Sequence, residues 1–74
     1  MDVTVYPNPA QNLIIIRTND DTPLQRIDLY DVTGQLIISS TETEINVSEL
    51  ESGIYFVSIL TEKGAVTKKI SVVR

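Results

Sequence analysis

The chain has 74 residues and a formal net charge of −4, the size of one small domain and a charge that disfavours a nucleic-acid backbone or an anionic membrane as partner. It contains neither Cys nor His, which removes disulfides, zinc thiolates, thiol nucleophiles and imidazole bases. Leu, Ile, Val and Phe supply 25 residues (six, ten, eight and one), far above the roughly 20% below which chains tend to stay disordered.

Val, Ile and Thr together supply 26 residues, and β-branching favours strands while costing rotamer freedom in helices. No apolar run approaches the roughly 18 residues of a membrane span, and no basic-then-apolar leader precedes Val3. The expectation is one domain over residues 1–74, with no direct membrane insertion, no export leader of its own and Met1 an added start.

Along the chain, Val3 to Tyr6 is a short extended run that ends at Pro7-Asn8-Pro9, where each Pro pushes the residue before it into extended geometry and makes a rigid corner. Leu13-Ile14-Ile15-Ile16 is too short for a buried helix and too apolar for simple alternation, so it reads as a strand covered on both faces. Asn19 to Pro23 is a turn cluster, after which Ile27 and Leu29 alternate with Arg26, Asp28 and Tyr30 as a half-buried strand. Asp31-Val32-Thr33-Gly34 joins it to Gln35–Ser40, with Gly34 suited to the left-handed position of a bulged hairpin.

Ile45 and Val47 alternate with Glu44 and Asn46. Ser48 to Gly53 reads as one short helical turn, capped by Ser48, closed by Gly53, with Leu50 plugging the end of the sandwich. Gly53 to Leu60 sets Tyr55, Val57 and Ile59 against Ile54, Phe56, Ser58 and Leu60, and Glu62-Lys63-Gly64 turns it into a last strand, Val66 to Val73. Seven closely spaced strands predict an all-β, immunoglobulin-like antiparallel β-sandwich.

Chemistry is sparse. Asn19, Asp20 and Asp21 form the only close acidic set near a flexible loop, and it reads as a solvated turn rather than a calcium site, so no metal and no cofactor are expected. Asp28 and Asp31 bracket Tyr30 without the cleft that a catalytic carboxylate pair needs. The serines lack a His, and Lys68 or Lys69 with a serine lacks a supporting motif, so no catalytic residue is assigned and no enzyme is expected. Tyr6, Tyr30, Tyr55 and Phe56 are candidates for a sugar-binding surface, although Tyr55 shares parity with Val57 and Ile59 and is expected in the core with its hydroxyl hydrogen-bonded. Lys68, Lys69 and Arg74 form a small basic cluster at a strand edge, where Lys also deters edge-to-edge pairing.

In order, Tyr6-Pro7-Asn8-Pro9-Ala10, Leu29-Tyr30-Asp31-Val32-Thr33-Gly34, Leu50-Glu51-Ser52-Gly53-Ile54-Tyr55 and Lys68-Lys69-Ile70 resemble one family over residues 3 to 74: the type IX secretion system C-terminal sorting domain, type A, also called the Por secretion tail. Each motif alone is weak, and the four in order are specific. The resemblance implies a secretion and sorting signal at the end of a larger cargo. Such a cargo passes through the periplasm, crosses the outer membrane through an outer-membrane shuttle and translocon, and is cut upstream of the domain by a sortase peptidase. It is then attached to lipopolysaccharide on the cell surface or released.

Carried onto this chain, Pro7, Asn8 and Pro9 match the first motif, Gly53 and Tyr55 the Gly-x-Tyr motif, and Lys69-Ile70 the terminal motif. With Gly34, the first five are expected to be mainly structural, whereas Lys68, Lys69, Ile70, Val72, Val73 and Arg74 are the expected recognition segment. Lys69 has opposite parity to Ile70 and Val72 and should face solvent. Family spacing also places Ile14 and Ile16 inward, leaving Leu13 and Ile15 outward, either covered by a neighbouring loop or available for self-association. The rival readings are an adhesive or carbohydrate-binding module retained on the mature protein, and an inert spacer.

Overall fold

The computed structural model describes residues 3–18 and 23–73. Its seven strands are β1 (Val3–Tyr6), β2 (Leu13–Thr18), β3 (Leu24–Tyr30), β4 (Leu36–Ser40), β5 (Glu44–Asn46), β6 (Gly53–Thr61) and β7 (Gly64–Val72). They form a three-stranded sheet in the order β1-β2-β5 and a four-stranded sheet in the order β4-β3-β6-β7, with every strand pair antiparallel. The all-β, immunoglobulin-like sandwich expected from the strand spacing is what forms. Its fourth strand pairs with the third, whereas the seven-stranded constant-type arrangement places that strand in the opposite sheet.

The core is the set of inward alternates. Ile14 and Ile16 of β2, Ile27 and Leu29 of β3, Ile45 of β5, Tyr55, Val57 and Ile59 of β6, and Ile70 and Val72 of β7 are all buried, joined by Val3, Ala10 and Val47. The run Leu13 to Ile16 is covered on one face rather than two: Leu13 is exposed and Ile15 half-buried. Ile15 lies in register between Tyr6 of β1 and Glu44 of β5, so its flanks are shielded by cross-strand neighbours.

Three local expectations are corrected. The segment Ser48–Gly53 is no helical turn. Leu50 N–H donates to Val47 C=O at 3.1 Å and the Asn46 side-chain oxygen accepts from Ser48 N–H at 2.8 Å, so Asn46 rather than Ser48 is the capping group of a plain turn, and Gly53 opens β6. Six residues between two strand ends are too few to repay nucleating a helix. Leu50 is partly buried against the core, as a plug at the sandwich end should be. Asp28, placed by alternation on the solvent face, is buried. It sits on a central strand and is held by Arg26 Nε at 3.0 Å and the Ser39 hydroxyl at 2.7 Å, which supply the partners a buried carboxylate needs. Finally, β7 starts at Gly64, because Thr61 pairs with Gly64 across a two-residue loop of Glu62 and Lys63.

The hairpin at Asp31 forms as its residues dictate. Asp31 Oδ1 accepts from Thr33 N–H (2.9 Å), the Thr33 hydroxyl (2.6 Å) and Gln35 N–H (3.0 Å), while Gly34 N–H donates to Asp31 C=O. Gly34 has φ 87°, the left-handed geometry expected of it, and the register shifts at Leu29/Tyr30 as in a bulged hairpin.

Candidate functional site

The candidate recognition segment lies on β7, the outer strand of the four-stranded sheet. Its residues divide by parity. Ile70 and Val72 are buried and hold the strand to the core, whereas Lys68, Lys69 and Val73 are exposed. Arg74 lies outside the described residues, as do Asn19, Asp20 and Asp21 of the acidic turn. Among the described residues no cluster of three or more carboxylates could hold a metal ion.

Adjacent side chains on a strand point to opposite faces, so Lys69 stands on the outer face and Lys68 on the core-side rim. On the outer face, Lys69 ends a row that runs through Phe56 and Tyr30 to Leu36, each residue directly opposite the next. Tyr30 and Phe56 are half-buried there, against each other rather than under another layer. Among the described residues neither Lys68 nor Lys69 has a carboxylate partner, the salt bridge found being Arg26–Asp28.

The Pro-Asn-Pro corner, between β1 and β2, closes on the far end of the chain. Both Tyr6-Pro7 and Asn8-Pro9 bonds are cis. The Asn8 side chain reaches β7 with both of its polar atoms: Oδ1 accepts from Ser71 N–H at 3.0 Å, and Nδ2 donates to Lys69 C=O at a longer 3.4 Å. Ala10 continues the pairing as a parallel bridge with Val72, its N–H donating to Ser71 C=O at 2.8 Å and its C=O accepting from Val73 N–H at 2.9 Å. Two prolines flank Asn8 and can donate no backbone N–H, so the asparagine amide, with one donor and one acceptor, takes the place of a peptide unit in the ladder. Although β7 is an outer strand, its edge is therefore closed at this end, from Lys69 C=O to Val73 N–H, by Asn8–Ala10.

Residue pairing over more than 60 positions gives no periodic or local signature, so sequence reasoning missed this contact. The available signal was chemical, a bidentate amide between two residues that cannot donate.

The Gly-x-Tyr motif lies at the same end of the four-stranded sheet, with Gly53 opposite Val72 and Tyr55 opposite Ile70. Tyr55 is buried near the start of β6, and its hydroxyl donates to Glu51 C=O at 2.8 Å. This has the form of the tyrosine corner of immunoglobulin-like sandwiches, in which a hydroxyl ties a strand start to the loop before it. Gly53 has φ 159°, a region essentially limited to glycine.

An open cleft of about 490 Å³ lies between Ile37 and Ile38 of β4 on one side and Asn46 at the end of β5 with Ser48, Glu49 and Leu50 of the following loop on the other. It holds no pair of groups suited to acid–base or nucleophilic chemistry. The four aromatics do not converge either. Tyr6 is on the three-stranded sheet with Arg17 stacked 5.9 Å from its ring centre, Tyr55 is in the core, and Tyr30 with Phe56 is on the outer face of the other sheet.

The described residues thus form an immunoglobulin-like sandwich whose Pro-Asn-Pro corner straps β7, with two exposed lysines beside the strap. The family model for the secretion system C-terminal sorting domain matches residues 4–73, and the chain belongs to that type IX secretion family. No curated protein matches it. Membership makes the domain a C-terminal sorting signal, implies export to the cell surface or secretion as part of a larger precursor, and points to a non-enzymatic role.

Proposed function

We propose that this domain is the part of an exported precursor that the type IX outer-membrane shuttle and translocon read, and that reading is concentrated at the exposed Lys68, Lys69 and Val73, with Arg74 beyond them. The carrying observation is the lysine pair, exposed and without a carboxylate partner among the described residues, on a strand whose end is held in place by Asn8 and Ala10. Buried Ile70 and Val72 then serve recognition indirectly, by fixing which side chains face out. In this reading the precursor passes through the periplasm, residues 1–74 act as one unit, a sortase cuts upstream of the domain, and the cargo is attached to lipopolysaccharide or released. The domain itself supplies no catalytic residue and needs no cofactor.

The test is export of a fused reporter in a host possessing the secretion system. Lys69→Ala, an exposed substitution, should change stability by no more than about 0.5 kcal/mol, and removal of Val73 and Arg74 should leave the buried core in place. Both variants should accumulate in the periplasm as folded precursor. Normal export of both overturns the proposal. Mass spectrometry of the surface-exposed cargo checks the cleavage step: peptides from residues 26–69 on mature cargo would show that the domain is retained.

A further inference from the structure

The strap divides the outer edge of β7 into a closed and an open half. Backbone groups of alternate residues point to the same side of a strand. Ser71 and Val73 use theirs on Asn8 and Ala10, away from β6. By the same alternation Lys69, Thr67 and Ala65 also face away from β6. Lys69 C=O is met by Asn8, which leaves Lys69 N–H and both polar groups of Thr67 and Ala65 on an unpaired stretch of sheet edge.

We propose that this open half, Ala65 to Lys69, is a strand-addition site for an extended acidic segment of a partner protein. This rests on the reading of β7 as the recognised element and names the partner's chemistry. Main-chain hydrogen bonds to Thr67 and Lys69 would supply register, as in other cases where a peptide extends a sheet. Charge selects the partner. Lys68 and Lys69 project to opposite faces at this spot in a chain of net charge −4, so a segment with adjacent carboxylates places one on each face, next to one ammonium each. The same two lysines disfavour a second copy of this chain, and the strap stops any incoming strand from pairing beyond Lys69.

Proline at position 67 provides a backbone-specific test. Because Thr67 N–H points away from β6, Thr67→Pro removes an edge donor without removing a β6–β7 hydrogen bond, whereas Thr67→Ala removes only the side chain. The probe is a short synthetic peptide of valine and threonine with adjacent glutamates at its centre, and its control carries lysines there. Titrated into the labelled domain, the glutamate peptide should shift the amide resonances of Thr67 and Lys69 and leave Ser71 unmoved. The lysine peptide should not bind. Thr67→Pro should weaken binding at least about tenfold, equivalent to about 1.4 kcal/mol, and Thr67→Ala should leave it within about twofold.

Failure to shift Thr67 and Lys69, equal binding of the lysine peptide, an unaffected Thr67→Pro domain, or dimerisation of the free chain through this edge each overturns the inference. If Thr67→Pro does not fold, the contrast between the two peptides on the unaltered chain decides alone. Since no export is measured, these outcomes are separable from the reporter test of the sorting reading.

Discussion

Tyr55 joins the largest buried ring of the core to a single polar contact, and its two contributions can be separated by substitution. Tyr55→Phe keeps the ring and deletes the bond to Glu51 C=O, so it should cost about 0.5–1.5 kcal/mol. Tyr55→Ala also empties the ring's volume and should cost about 3–5 kcal/mol. Denaturant midpoints of the two variants check the split, and equal costs would show that the ring is not the dominant part. Gly53→Val should cost about 1–3 kcal/mol in the same experiment through backbone strain, because a Cβ there meets nothing within 4 Å and steric overlap is not the cause. Asp31 is legible in titration rather than packing. The Thr33 hydroxyl, followed by the Gln35, Thr33 and Gly34 amides, holds its carboxyl below the ordinary 3.8. A lowered folded-state value means that the hairpin's stabilisation is present above the unfolded carboxyl's range and is lost as pH falls through the folded one. Asp31→Ala should flatten the dependence of stability on pH below about pH 4, and an unchanged slope would show that the turn does not depend on the ionised form.

At the scale of elements, the strap is the piece with the most distinct expected behaviour. Asn8→Ala removes both side-chain bonds to β7 and should speed hydrogen exchange at Ser71 N–H by more than about tenfold, with Val57 and Ile59 in the middle of β6 still protected. Asn8→Asp should leave Ser71 N–H protected at neutral pH, because a carboxylate still accepts from it and only the longer contact to Lys69 C=O is lost. Uniform loss of protection would instead make the corner a part of the global fold. The strands themselves were readable because alternation reports burial directly: Ile27 and Leu29, Tyr55, Val57 and Ile59, and Ile70 and Val72 all face the side their parity assigned, whereas Ile14 and Ile16, in a run too apolar to alternate, are buried as the family spacing placed them. Asp28 escaped that reading because alternation reports which face a residue is on and says nothing about whether neighbours cover it. Asn46 escaped because a cap one residue before the turn competes with Ser48 on equal chemical terms. The strap escaped because its partners are far apart in sequence.

For the molecule as a whole, long-range closure also has a temporal side. Asn8 meets Lys69 and Ser71 across separations of 61 and 63 residues, and β6, the strand that β3 pairs with, is itself late in the chain. At synthesis rates of roughly 5–20 residues per second, about 3–12 seconds separate the appearance of Asn8 from that of its partners. Through that interval Ile14 and Ile16 exist without the β6 and β7 side chains that cover them. High contact order of this kind makes folding slow relative to local structures. Nascent chains arrested before Gly64 should therefore be cut readily by protease, and chains that include β7 should resist, so the domain gains its protection only once β7 is made.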